Sequence, residues 1–259
     1  MSFTASTVAI TLALFAGMLA LLAIGRRLGL RRLAADADGA RAGVGAVEGS
    51  VFGLMGLLIA FTFSGASSRF EGRRQLIVAE ANAIGTAWLR LELLPQSAAV
   101  ALRERFRSYL DSRLAVYGDV SDTESTNATL ARAAELQNEI WTSAVSACRE
   151  PGMQQATMLL LPALNEMIDV TTGRTMAMEF HQPLIVFAVL FAFALASSLL
   201  AGYGLAGGSR PSWLHMVGFA AITALAIFVI LDLEYPRLGF IRIDPADRVL
   251  IELRASMDR

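Results

Sequence analysis

The side chains that most often carry out chemistry in proteins are sparse in this sequence. It contains two histidines, His181 and His215, which lie far apart in the chain, and a single cysteine, Cys148. No group of His, Cys and acidic residues has the spacing of a metal site, and no glycine-rich loop follows a predicted strand. The carboxylates of Glu166 and Asp169 have the i,i+3 spacing of an ordinary solvated helix face. The sequence therefore predicts neither an enzyme nor a cofactor or metal site.

A different kind of chemistry, the passage of ions, is suggested by an uncharged stretch over residues 49–68. On a helical wheel this stretch presents a stripe of bulky apolar side chains with a charged residue near each end. The candidate pore-lining residues are Glu48, Phe52, Met55, Ile59, Phe63 and Arg73. Rings of apolar side chains can gate a pore by dewetting, and flanking charge can bias which ions pass. The plainer and more common interpretation is a stripe that faces a neighbouring span or lipid, and the pattern leaves both open.

A second stripe on the same helix consists of small residues. The candidate helix-packing residues are Gly49, Gly53, Gly56, Ala60 and Ser64. Small side chains let helices approach closely in lipid, where packing rather than the hydrophobic effect drives association. The stripe predicts a close helix contact, either within one subunit or between subunits.

These candidates lie on one of four apolar stretches that we predict to cross a membrane, over residues 4–25, 49–68, 183–205 and 213–231. Each has about 19 to 23 residues, close to the number that spans a hydrocarbon core of roughly 30 Å. The hydrophobic content of 55% and the mean hydropathy of +0.52 are too high for an ordinary soluble chain. No charged residue precedes Arg26, so the positive start of a cleaved signal peptide is missing and we interpret the first stretch as a retained span.

The predicted fold class is an all-α membrane protein with four transmembrane helices. Residues 1–68 and 182–232 form two transmembrane hairpins, and residues 69–181 form a helical extramembrane domain between the second and third spans. The helical periodicity predicts that the second span continues to about Pro95 and that further helices cover 97–117, 128–149 and 153–180, separated by a polar loop over 118–127. Pro162 is expected to kink the last of these helices. The tail, 233–259, is predicted to form a strand over 240–243 and a helix over 245–257, packed on the helical domain.

The arginine distribution predicts the orientation in a bacterial inner membrane. The loop between the first two spans contains Arg26, Arg27, Arg31, Arg32 and Arg41 against Asp36 and Asp38. The positive-inside rule places this loop in the cytoplasm and the helical domain outside. The opposite ends of the spans carry Arg69, Arg73, Arg74, Arg237 and Arg242, so the preference for an extracytoplasmic domain is narrow.

Three segments resemble a known family. They are VEGSVFGLMGLLIAFTFSGASSRFEGRRQLIVAEANAIGTAWLRLELL (47–94), LLLPALNEMIDVTTGRT (159–175) and VILDLEYPRLGFIRID (229–244). They resemble bacterial membrane proteins called bestrophin-like, after a distant similarity to bestrophins, which are pentameric anion channels. In bestrophins the second span lines a neck of apolar rings, and the Met55, Ile59 and Phe63 pattern is similar to it. Animal bestrophins also carry a dense acidic calcium-binding cluster after the last span, which Asp232, Glu234 and Asp244 are too sparse to match.

The sequence therefore leaves two candidate functions. The resemblance implies a homo-oligomeric pore, with a pentamer as the first expectation, that passes small anions through a path lined by the second span. The alternative is a non-conducting, membrane-anchored scaffold or sensor that acts through its helical domain. A net charge of -1 gives no indication of a nucleic-acid partner. The expected partners are the lipid bilayer and further copies of the chain.

Overall fold

A computed structural model describes residues 3–35, 44–118, 123–207 and 212–258 of the chain. These residues are predominantly helical, and no strand occurs within them. The helices are α1 (Phe3–Ala35), α2 (Val44–Arg90), α3 (Gln96–Gly118), α4 (Thr123–Cys148), α5 (Gln154–Glu179), α6 (Leu184–Gly204), α7 (Trp213–Glu234) and α8 (Arg248–Ser256). Short 3₁₀ helices cover Leu91–Leu93, Leu205–Gly207 and Asp244–Asp247. The all-α fold class is confirmed for this part of the chain.

Four helical segments within the described ranges are long and apolar enough to cross a membrane: Phe3–Ala35, Gly45–Leu93, Gln154–Gly207 and Trp213–Glu234. Each contains one of the predicted spans. The first two continue as helices well past the apolar stretch, because nothing in the sequence after Gly25 or Ser68 breaks a helix. As predicted, α2 ends in a 3₁₀ turn just before Pro95.

The chain forms two compact units. The first, which we call the membrane unit, comprises Met1–Phe70 and His181–Ile241. Its core is built from apolar side chains of α1, α2, α6 and α7, including Met18, Leu22, Leu190 and Ile227. Helices of such uniform apolarity have no polar face to point at water, which is the pattern of spans surrounded by lipid and by each other.

Glycines bring α1 and α6 into very close contact within the membrane unit. A Cβ atom at Gly25 would collide with the backbone carbonyl of Leu199, and one at Gly202 would collide with that of Leu22. At Gly29 a Cβ would lie 2.6 Å from the carbonyl oxygen of Tyr203. Only glycine permits this backbone-to-backbone packing.

The second unit, the helical unit, comprises Glu71–Phe180 and Arg242–Arg259. Its core includes the fully buried side chains of Ile84, Phe106, Leu110 and Leu160. From Arg242 onward the tail belongs to this unit, where α8 buries Leu250 and pairs Arg254 with Asp111 of α3, at 2.7 Å. The residues of the tail up to Ile241 belong to the membrane unit. Pro162 lies inside α5.

Two local predictions are wrong. The tail has no strand over 240–243, because the backbone N–H groups of Phe240 and Ile241 donate hydrogen bonds to the carboxylate of Asp232, at 2.9 and 2.6 Å, rather than to another strand. The predicted polar loop over 118–127 is too long, since α4 begins at Thr123. Its residues 119–122 lie outside the described ranges, as do Asp36, Asp38 and Arg41 of the orientation argument.

Candidate pore helix and its surrounding ion pairs

The inner side of α2 packs against its own subunit. Met55 is only 6% exposed, and Ile59 packs against the core of the membrane unit. The ring of Phe52 contacts the ring of Phe219 on α7, with 5.9 Å between their centroids. Three members of the predicted pore stripe therefore lie on the side of α2 that faces the other spans of the same subunit.

The predicted small stripe lies on the outer side of α2. No atom lies within 4 Å of the position that a Cβ would take at Gly49, Gly53 or Gly56. Ala60 and Ser64, which continue the stripe, are also exposed. None of these residues makes a close contact within its own subunit, so any helix that packs against the stripe must come from another chain or the stripe faces lipid.

Large apolar side chains flank the small stripe on the outer side of α2. Leu57 is 50% exposed and Phe61 is 68% exposed, one helical turn apart. Phe63, the last member of the predicted pore stripe, is 45% exposed on the other flank. Leu57 and Phe61 are not among the residues predicted from the sequence. Their i,i+4 spacing was visible, but a helix that is apolar all round does not reveal which apolar side its subunit leaves open.

The two charged members of the predicted pore stripe, Glu48 and Arg73, lie against other helices of the same subunit. The carboxylate of Glu48 lies against Gly204 of α6, where a Cβ would come within 2.6 Å of both oxygens. Arg73 is 7% exposed in the helical unit. Its Nε donates to the carbonyl of Ala177 and its Nη2 to that of Phe180, both at 2.9 Å. Arg73 thus satisfies carbonyl groups at the C-terminal end of α5, which a helix leaves without partners.

A buried carboxylate ties α2 to the later spans within the membrane unit. The side chain of Glu234 has no exposed surface and accepts a 2.7 Å hydrogen bond from Nη2 of Arg69. It also accepts the backbone N–H of Gln182, at 2.7 Å, and Nδ1 of His181 lies 3.7 Å away. The carboxylate of Asp232 likewise accepts hydrogen bonds from the backbone N–H groups of Phe240 and Ile241, after α7. Both acids act as internal acceptors, and in the described ranges no three His, Cys, Asp or Glu residues group as metal ligands.

The helical unit contains a buried network of four charges. Oε1 of Glu80 on α2 accepts a 2.6 Å hydrogen bond from Nε of Arg113 on α3. Arg174 on α5 pairs with the other oxygen of Glu80 and with Asp247, the latter at 2.9 Å. Two positive and two negative groups therefore balance in a region with almost no exposed surface. None of these four residues was predicted from the sequence, although Glu80 shares a helix face with the apolar residues at 77 and 84.

Tyr109 extends the network through neutral groups. Its hydroxyl lies 2.9 Å from the hydroxyl of Thr171 and accepts a 3.0 Å hydrogen bond from Nε2 of Gln137. Burial raises the pKa of Tyr109 to about 12, because the phenolate would lose its hydration. The side chain is therefore a neutral hydrogen-bonding group at physiological pH and not a proton carrier.

The fold and its signature segments can be compared with known proteins. A family model described as a bestrophin-like domain matches residues 8–247. The chain belongs to the bestrophin-like family. This confirms the resemblance that the three sequence segments indicate. No curated protein matches the sequence.

Solved structures show the same fold. Crystal structures of point variants of a bacterial bestrophin homolog from Klebsiella pneumoniae match with TM-scores of 0.69 and 0.67, at 15% and 16% sequence identity. The matches cover 95% of this chain and 98% or 99% of the homolog. A third variant matches with a TM-score of 0.67 at 14% identity, over 94% of this chain and 98% of the homolog. At this identity the likeness establishes a bestrophin fold for the chain and leaves function to be argued from the residues.

Proposed function

We propose that this bestrophin-like protein forms a homo-oligomeric membrane pore that passes small anions, with α2 of each subunit lining the path. The uncovered outer side of α2 is the observation that carries this proposal. Its apolar stretch is the least buried of the four candidate spans within the subunit, at 11% against 22 to 33%. It leaves both a small-residue stripe and large apolar side chains, among them Leu57 and Phe61, open. In a ring of subunits these two surfaces supply a packing side and an axial side.

Assembly uses the small stripe. A neighbouring helix can approach the open positions at Gly53 and Gly56 closely, and van der Waals contact of this kind drives helix association in lipid. The resemblance to bestrophins makes a pentamer the first expectation.

The constriction has two candidates on α2. The sequence pattern favours Ile59 and Phe63, whereas the exposure of the subunit favours Leu57 and Phe61. We favour Leu57 and Phe61, because Ile59 packs on the core of its own subunit and is not free to turn toward an axis. Either pair forms an apolar ring, through which an ion moves only when water enters with it.

Halide flux into proteoliposomes tests the proposal. Phe61→Ala and Leu57→Ser should each raise flux roughly tenfold, because a wider or hydroxyl-lined ring lowers the cost of stripping water from an ion by about 1–2 kcal/mol. Phe63→Ala should change it little. Leu225→Ser, at an exposed position of α7, is the matched control for a hydroxyl on an outer helix surface. An increase in halide flux in the Phe63 variant alone would instead support Ile59 and Phe63 as the constriction.

The alternative function is a non-conducting scaffold or sensor. It is favoured by large apolar side chains that the helical unit leaves exposed, among them Leu89 and Met158. Such surface patches often mark protein contacts. An intact oligomer that stays impermeable to halide in all of these variants, with no axial path, would reject the pore and support the scaffold.

A further inference from the structure

α1 is much longer than its apolar stretch. The helix continues from Arg26 to Ala35, about ten residues that extend it by about 15 Å beyond the hydrocarbon core. This extension contains Arg26, Arg27, Arg31 and Arg32. Three of them, Arg27, Arg31 and Arg32, are exposed beyond the apolar stretch.

The extension is held in place rather than free to move. Gly25 and Gly29 lie directly against the backbone of α6 at Leu199 and Tyr203, and a Cβ at Gly29 would also touch Ala206 at 2.6 Å. Contacts this close fix the direction of α1 at the point where it leaves the apolar layer. The arginines are thus displayed on a preorganised scaffold, which lowers the entropy lost when a ligand binds.

Three of these arginines have no acidic partner in the part of the chain that the structure describes. The whole of α1 contains no Asp or Glu. Arg27, Arg31 and Arg32 are exposed, and within the part of the chain that the structure describes they make no hydrogen bond or ion pair. At the opposite end of the membrane unit, by contrast, Arg69 is neutralised by Glu234 at 2.7 Å.

Two further features place this surface at headgroup depth. Leu28, between the arginines, is 45% exposed. Trp213, which begins α7 at the same end of the membrane unit, is 60% exposed. Tryptophan is enriched where its ring can lie among headgroups, and an exposed leucine beside arginines suits the boundary between phosphate and acyl chain.

We propose that the arginine-bearing extension of α1 is a binding site for anionic phospholipid headgroups. The guanidinium groups of Arg27, Arg31 and Arg32 engage the phosphodiester, which they can contact through two parallel N–H donors, while Leu28 meets the upper acyl chain. Positive charge that only sets orientation during insertion would need no particular lipid afterwards. This site requires one, and it does so whether or not the protein conducts ions.

The test is thermal unfolding of the purified full-length protein in neutral detergent, titrated with dioleoyl-phosphatidylglycerol, dioleoyl-phosphatidylcholine or glycerol 3-phosphate. Phosphatidylglycerol should raise Tm with saturation, and the other two should not. The triple variant R27Q/R31Q/R32Q should need on the order of a hundredfold more phosphatidylglycerol for half of the shift. Added salt should weaken binding to the native protein.

The matched control is R132Q/R149Q/R248Q, which removes the same charge from exposed positions of the helical unit and should bind like the native protein. If the triple variant inserts poorly, Arg27→Gln and Arg31→Gln singly should each weaken binding by about fivefold. Equal loss in the control, an equal response to phosphatidylcholine, or a full response to glycerol 3-phosphate would overturn the proposal.

Discussion

Glu80 places a carboxylate in the middle of the helical unit, where its side chain has no exposed surface. Taking a charge out of water is costly, and the cost is offset only if partners with good geometry surround it. Arg113 and Arg174 approach from two different helices, and Asp247 balances the second arginine. The network therefore ties α2, α3, α5 and the tail into one arrangement, which apolar contacts alone would specify less sharply.

Replacing Glu80 with glutamine should destabilise the protein by about 3–5 kcal/mol, because it leaves Arg113 and Arg174 buried with too little negative charge. The measurement is thermal unfolding in detergent, followed by tryptophan fluorescence. Glu92→Gln is the matched control, since Glu92 forms an exposed pair with Arg103 at 3.3 Å that is worth about 0–1 kcal/mol. Equal unfolding temperatures for the two variants would show that the buried network contributes no special stability.

At the scale of elements, two sets of glycines serve different purposes. Gly25 and Gly202 are enclosed between α1 and α6, where any side chain would enter another backbone. Gly53 and Gly56 face open space on α2. All four are small residues in apolar helices, yet only the first pair fills a contact within the subunit.

We therefore expect Gly202→Leu to abolish the folded subunit, and Gly53→Leu to leave the subunit folded while it disrupts assembly. A leucine at 202 would force α1 and α6 apart, whereas one at 53 would meet no atom of its own subunit. Expression and thermal unfolding report the first effect, and mass measurement by light scattering in detergent reports the second. Gly218→Leu on α7, where the Cβ position is also open, is the matched control and should change neither. An unchanged mass for Gly53→Leu would mean that the small stripe faces lipid.

The elements themselves are predictable because their signals are local. A stretch of about 20 apolar residues specifies a span regardless of its neighbours, and the periodicity of 69–181 specifies helices in the same way. Which side of α2 is covered depends instead on where α7 and the rest of the subunit pack. Met55 and Leu57 are chemically alike, but one is buried and the other is half exposed. The strand expected over 240–243 failed for a related reason, since Asp232 captures the backbone donors that a strand would have used.

At the scale of the whole molecule, orientation depends on the loops rather than on the folded units. The two predicted hairpins would place the segments between α1 and α2 and between α6 and α7 on the same side of the membrane. The end of α1 and these short segments carry Arg26, Arg27, Arg31, Arg32, Arg41 and Arg210. The long domain on the other side begins with Arg69, Arg73 and Arg74. Long domains cross the membrane largely regardless of their charge. The short-loop arginines should therefore face the cytoplasm and place the helical unit outside.

Cysteine accessibility decides this prediction. In a Cys148→Ser background, Ser125→Cys introduces a thiol at an exposed position of α4. With the helical unit outside, a membrane-impermeant maleimide should label it in spheroplasts that remain sealed. Ala35→Cys, at the exposed end of α1 and on the other side of the second span, is the matched control and should react only after permeabilisation. The reverse pattern would place the helical unit in the cytoplasm. In that case the second span and the arginines after Ser68 would set the orientation, rather than the first span and the arginines after Gly25.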